Sequence, residues 1–264
     1  MPGCLSLLMS VFVLTAILAG GVAQPSHANG IRLGIQGQDD RVAVEDNRYP
    51  WRTIGRVNNV GRSYCTGVLI GQRRVLTAAH CLRSRGAQGG LAKASDIHFL
   101  AGYSRGTYLA HSQAIAIDRS WTSGVQAETA DDWAVITLAE PIGKTVGFLK
   151  LENFGSSAWR SDRRQGKRYA QAGYSQDRSH ILTRHINCEI QRFLKGEQVF
   201  AHQCDAINGD SGSPILVRRD RTYRIVGLHV ASSRDRGFGV AITAGRILSQ
   251  LPNLTQLAPI TPPR

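Results

Sequence analysis

Three short segments carry side chains that could act together: Leu76-Thr77-Ala78-Ala79-His80-Cys81, Asp132-Trp133-Ala134-Val135-Ile136-Thr137-Leu138 and Gly209-Asp210-Ser211-Gly212-Ser213-Pro214. A serine hydroxyl is a weak nucleophile and needs an adjacent base. Histidine is the base suited to neutral pH. That histidine needs a buried carboxylate to fix its tautomer and stabilise the imidazolium. Ser211, His80 and Asp132 are residues of these types. Ser211 lies between Gly209 and Gly212, in a run too tight for a strand. Such a turn can aim the N–H groups of Gly209 and Ser211 at one point and hold an oxyanion. The chemistry would be attack on an acyl carbon. Taken singly, each segment has a plainer reading as a structural histidine, a turn serine or a turn aspartate. Their joint presence in one chain outweighs that reading.

The elements that must position these residues are short strands. From Pro50 onward apolar runs alternate with turn signals: Arg52–Val57, Gly67–Ile70, Arg74–Thr77, Ile97–Ala101, Leu109–Ile117 and Ala134–Leu138. They continue as Arg168–Ala172, His185–Phe193, Val199–Cys204, Pro214–Val217, Tyr223–Val230 and Gly239–Ile242. Spacing of this kind predicts an all-β barrel or sandwich. Only Ala244–Leu251 reads as a helix, and Leu82–Arg85 can hold a single turn before Gly86. His80 ends one apolar strand and is tethered by Cys81. Asp132 begins another, which places its carboxylate at a barrel edge.

The leader and the cysteines speak to compartment. An apolar stretch, Leu5–Ala19, precedes the first charged side chain, Arg32. It predicts a signal peptide over residues 1–23, with Gly21-Val22-Ala23 or Ser26-His27-Ala28 as cleavage sites. An uncleaved membrane anchor is the alternative, since Cys4–Ala23 could span a bilayer. Cys4 belongs to the leader, which leaves Cys65, Cys81, Cys188 and Cys204. An even number in an exported chain points to disulfides. Each pair flanks a strand–turn–strand pattern, so Cys65–Cys81 and Cys188–Cys204 are the expected bridges. A zinc site lacks its C-x-x-C pair, and no metal or cofactor is expected. The expected location is secreted or periplasmic.

The chain has 264 residues, 42% hydrophobic, with 28 glycines and a net charge of +13. That excludes a wholly disordered chain, a coiled coil and collagen. The charge first suggests nucleic acid. The basic residues are mostly scattered arginines, and the denser clusters Arg160–Arg168 and Arg218–Arg224 contain Asp162 and Asp220. No nucleic-acid motif accompanies them, so the charge reads as a soluble basic surface.

On these motifs the chain resembles the trypsin-like (chymotrypsin-fold) serine proteases. Thr77-Ala78-Ala79-His80-Cys81, Asp132-Trp133-Ala134 and Gly209-Asp210-Ser211-Gly212 match the family's three motifs. Asp132 is preferred to Asp131 because it directly precedes the large apolar residue and alanine. Pro50-Trp51, Cys65–Ile70 and Ile225-Val226-Gly227-Leu228-His229 extend the resemblance, which runs from about residue 40 to 250. Asp39-Asp40-Arg41-Val42, Ser213 and Gly227-Leu228-His229 lean towards the bacterial branch near the V8-like glutamyl endopeptidases.

The resemblance implies two six-stranded antiparallel Greek-key barrels with the active site in the cleft between them, and a short C-terminal helix. Residues 42–150 would form the first barrel, with His80 and Asp132, and 151–252 the second, with Ser211. Residues 24–41 would be an arm or propeptide and 253–264 a flexible tail. The implied activity is endopeptidase cleavage through an acyl-enzyme. Ser211, His80 and Asp132 would be catalytic, and Gly209 and Ser211 would form the oxyanion hole. The implied pocket contains Asp205, six residues before Ser211, with His229, Ser232 and Gly239. Asp205 favours Arg or Lys at P1. His229 favours an acidic P1, although Ala206 stands where the glutamyl-specific relatives often carry a hydroxyl. Asp210 would need a cation, either an amino terminus freed by cleavage after Arg41 or an internal arginine. The expected partner is a polypeptide substrate, met by a monomer, with no nucleic acid and with membrane only through an uncleaved leader. An inactive protease-like binding protein is the rival from another class.

Overall fold

A computed structural model describes residues 34–84, 90–120, 128–233 and 237–255, with side chains to residue 251. The expected signal peptide and most of the expected tail lie outside the described residues.

The first half is a closed barrel. Its strands are β2 (Ile54–Asn59), β3 (Ser63–Leu69), β4 (Arg74–Thr77), β5 (Ile97–Ala101), β6 (Ala110–Arg119) and β7 (Ala134–Leu138). They close in the order β2-β3-β4-β7-β6-β5, each pair antiparallel. The alternating positions Val57, Leu69, Val75, Ile97, Phe99, Ile136 and Leu138 fill the interior, as the period-2 pattern requires.

The second half departs from the expected six-stranded barrel. It is a nine-stranded sheet that stays open. Its strands are β1 (Val42–Ala43), β8 (Lys150–Leu151), β9 (Tyr169–Gly173), β10 (Thr183–Cys188), β11 (Ile190–Leu194), β12 (Val199–His202), β13 (Pro214–Arg219), β14 (Thr222–Ser232) and β15 (Gly239–Thr243). The path runs β1-β10-β9-β13-β14-β15-β12-β11, with β8 beside β14. Strands β10 and β12, each next to an end of that path, are joined by other means. The Cys188–Cys204 disulfide crosses that seam. So do hydrogen bonds from Gln203 N–H to the Glu189 carbonyl (2.8 Å) and from Asp205 N–H to His185 Nδ1 (3.0 Å).

Val42–Ala43 was expected in the first barrel, yet β1 pairs with Arg184 and Thr183 of β10. Val42–Ala43 therefore belongs to the second sheet, and the chain crosses from it to the first barrel. A core shared by both halves includes Val68, Leu76 and Trp133 from one side and Leu216, Leu228 and Ile242 from the other. Short helices α1 (Gly143–Val146), α2 (Ser156–Arg164) and α3 (Ala244–Thr255) complete the described chain.

Candidate active site

His80 stands in a 3₁₀ turn, Ala79–Leu82, that follows β4. The expected Cys65–Cys81 disulfide ties that turn to β3. Asp132 caps a second turn, Thr129–Asp131, just before β7. Its carboxylate is shared between two donors of one residue: Oδ1 accepts the His80 amide at 2.8 Å and Oδ2 lies 2.7 Å from His80 Nδ1. An acceptor at Nδ1 puts the ring proton there and leaves Nε2 unprotonated, the form a base needs. The neighbouring Asp131 faces elsewhere and pairs with Arg246 on α3 at 2.8 Å.

Ser211 is held from across the interface. The Thr66 amide on β3 donates to the Ser211 carbonyl at 2.9 Å. The Thr66 hydroxyl donates to the Gly209 carbonyl (2.9 Å) and accepts the Tyr174 amide (2.9 Å). Sequence reasoning missed Thr66, because nothing local marks a strand threonine as a bridge between halves. The glycines of the serine motif are required by the same close approach. Gly212 has φ +84°, and a Cβ there would lie 2.1 Å from the Thr66 carbonyl oxygen. Gly209 has φ +93°, and its Cβ would lie 2.4 Å from the Tyr174 carbonyl oxygen. Both positions demand a residue that tolerates positive φ and has no side chain. Among the described residues, no acceptor is engaged by the Gly209 or Ser211 N–H, so both remain available to a ligand.

A cavity of about 210 Å³ opens at Ser211, lined by Ile207, Asn208, His229, Val230, Ala231 and Ser232. His229 and Ser232 line the same cavity as Ser211. Asp205 is not among the lining residues. It is fully buried, and its carboxylate accepts the amides of Gln36 (2.7 Å) and Asp40 (2.9 Å) from the N-terminal arm. Gly239 also takes a different role. Its missing side chain makes room for His202, whose ring would lie 2.2 Å from a Cβ there.

His202 is the second residue that sequence reading missed. The Cys204 amide donates to its Nδ1 at 3.2 Å, so its proton sits on Nε2. That proton is donated to His229 Nδ1, 3.0 Å away. His229 therefore carries its own proton on Nε2, the remaining polar edge of a ring that lines the cavity. Burial, with the nearby His80, lowers the His229 pKa to about 3, and burial depresses His202 well below the usual range. Both rings are neutral at physiological pH.

Asp210 finds neither of its two expected cations in direct contact. It is fully buried and accepts from the Ser175 hydroxyl (2.8 Å) and the Ile207 amide (2.9 Å). Burial raises its pKa to about 6, against those hydrogen bonds and the field of Arg41. Arg41 itself is buried against Asp39 and Asp177. Cleavage after Arg41 would therefore cut a packed arm whose next residues already form β1.

Two groupings bring possible metal ligands together, Cys65/His80/Cys81 and Asp40/His185/Asp205. The first cysteines form a disulfide. In the second, the Asp205 oxygens and His185 Nδ1 already accept backbone N–H groups. The disulfide takes the sulfur ligands out of the first, and in the second the Nδ1 lone pair of His185 is already in use.

The arrangement agrees with three comparisons. A glutamyl endopeptidase of Bacillus licheniformis is 31% identical over 183 residues, covering 68% of this chain and 54% of the relative. The chain thus spans about half the length of that curated relative. A solved structure titled "Structure of Glu endopeptidase in complex with MPD" superposes with a TM-score of 0.68 at 22% identity, over 86% of this chain and 100% of the other, which shows the fold. Residues 41–248 match the family model described as Trypsin, and with His80, Asp132 and Ser211 standing in that family's motifs the chain belongs to the trypsin family.

Proposed function

We propose that the protein is an exported serine endopeptidase that hydrolyses peptide bonds through an acyl-enzyme. The observation that carries this reading is the grip of Asp132 on both the backbone and the ring of His80. It fixes the tautomer that can take a proton from Ser211. In this reading Ser211 attacks the peptide carbonyl and His80 Nε2 takes the hydroxyl proton. The oxyanion is held by the Gly209 and Ser211 N–H groups. The leaving amine then takes the proton from His80, and water repeats the sequence to release the acid. Ser211→Ala is expected to lower kcat on the order of a million-fold. A variant that keeps more than a hundredth of wild-type turnover would overturn the triad, and wild-type protein without any turnover would favour a binding protein. Two disulfides support export to an oxidising compartment.

At P1 a second reading, an acidic side chain, stands beside the proposed Arg or Lys preference. The His202-to-His229 chain leaves an N–H donor at the cavity, which suits an acceptor. The Arg/Lys reading rested on Asp205, whose carboxylate is engaged by the arm. A panel of fluorogenic peptides with Glu, Asp, Gln, Arg and Lys at P1 tests this. Cleavage after Arg or Lys with none after Glu would restore the basic preference.

A further inference from the structure

The oxyanion donor of this site has its own support. Asn208 and Gly209 share one peptide plane, and the Asn208 carbonyl accepts the Gln176 amide at 2.7 Å. In a trans peptide the C=O and N–H point in opposite directions. Pinning the carbonyl on Gln176 therefore turns the Gly209 N–H the other way, on the side of Ser211. The left-handed φ of +93° at Gly209 lets the chain continue from that orientation. Ser175, one residue earlier, holds the far end of the same loop by its hydrogen bond to Asp210.

Gln176 opens a 3₁₀ turn, Gln176–Arg178, and the next two residues are gripped by the N-terminal arm. The Arg41 guanidinium binds both oxygens of Asp177 (3.1 and 2.8 Å) and both oxygens of Asp39 (2.9 and 2.8 Å). Arg178 closes the ring, donating to the Arg41 carbonyl (2.7 Å) and to Asp39 (3.0 Å). The Arg41 side chain is only 1% exposed. Paired bidentate contacts of this kind are short, directional and geometrically demanding. The arm is fixed on both sides of the ring, by the amides of Gln36 and Asp40 on Asp205 and by β1 on β10.

We propose that Arg41 is a positioning residue: the Asp39–Arg41–Asp177–Arg178 ring clamps the Gln176 turn, and the Gln176 amide in turn holds the Asn208–Gly209 peptide with its N–H ready for the oxyanion. The inference rests on reading Gly209 as an oxyanion donor and adds the device that sets it. It assigns the arm a part in catalysis, and the arm must then stay attached in the active enzyme.

Gln176→Pro tests the last link by removing the N–H donor that the Asn208 carbonyl accepts. Residue 176 is the first of its turn, where proline is favoured. Ser175, at φ −66° and ψ 144°, already has the backbone a residue before proline adopts. The expected result is a fall in kcat of about a hundred- to a thousand-fold with KM changed less than about threefold. Arg41→Gln should lower kcat in the same way and Arg41→Lys less. If Arg41 acts through Gln176, adding Arg41→Gln to Gln176→Pro should cost no more than about twofold further. Thermal melting accompanies each variant, and Asp177→Asn replaces Arg41→Gln if the latter fails to fold. Wild-type kcat in Gln176→Pro, or effects that multiply in the double variant, would overturn the proposal while an inert Ser211→Ala still upheld the triad. An active Ser211→Ala would instead remove the reading on which it rests.

Discussion

Asp132 does two jobs with one carboxylate, and the second shows what its loss should do. Its Oδ1 holds the His80 backbone and its Oδ2 holds the ring proton. In Asp132→Asn an amide nitrogen can replace Oδ2 and donate to Nδ1. The proton then moves to Nε2, the nitrogen proposed as the base, and blocks it. Asp132→Asn is therefore expected to lower kcat about 10⁴-fold near neutral pH, with KM little changed. Steady-state kinetics checks this, and a loss below tenfold would mean that the tautomer is fixed elsewhere. His80, Asp132 and Ser211, the residues proposed as the triad, were legible in the sequence because each lies inside its own short motif. The pocket was not. Asp205 is claimed by amides of Gln36 and Asp40, more than 160 positions away in the chain. His202 matters only because β15 sets β12 near β14 and so brings its ring to His229. No local pattern carries either fact.

At the scale of elements, the strands that bury continuous apolar runs were read with their true limits, as at Arg74–Thr77, Ile97–Ala101 and Ala134–Leu138. Helix α2 was not read at all. Its nine residues, Ser156–Arg164, include three arginines and lack an apolar stripe. Trp159 packs on Phe193 with ring centres 5.6 Å apart, and remote polar partners hold the rest of the helix. The Ser156 amide donates to Glu197 at 3.0 Å, and Asp162 pairs with Arg219 and accepts the Tyr169 hydroxyl. The open seam of the second sheet was also invisible, because it depends on which strands fail to meet. There the Cys188–Cys204 bridge replaces missing ladder bonds, next to the cavity-supporting His202. With a sequence separation of 16 between the two cysteines, their replacement by serine should cost about 3 kcal/mol of stability on the loop-closure account. Urea denaturation of the double variant measures it. An unchanged midpoint would show that the Gln203 and Asp205 hydrogen bonds close the seam unaided.

For the whole molecule, the charge of +13 is partly internal. Arg219 is shared by Glu152 and Asp162, Arg41 by Asp39 and Asp177, and the Arg56 guanidinium lies 4.0 Å from the centre of the Tyr64 ring. These arginines build the fold before they attract any partner. Three other buried groups set its response to acid. His202 and His229 are neutral in the fold, with His229 at about 3, whereas the unfolded chain protonates them near 6.5. Their stabilising effect is complete above pH 6.5 and is lost as the pH falls. Asp210 works in the opposite sense. Its pKa rises from 3.8 to about 6 on burial, so its contribution is complete below pH 3.8 and lost as the pH climbs through 6. Between pH 6 and 4 two histidines oppose one carboxyl, and the unfolded chain holds about one extra proton. Over that range stability should then fall by about 1.4 kcal/mol per pH unit on acidification. Ser211→Ala protein, which cannot digest itself in the proposed mechanism, allows urea midpoints to be measured from pH 4 to 8. Asp210→Asn in that background removes the opposing carboxyl and should steepen the loss below pH 6. A profile that is flat, or that rises as the pH drops, would contradict the burial of two neutral histidines behind the pocket.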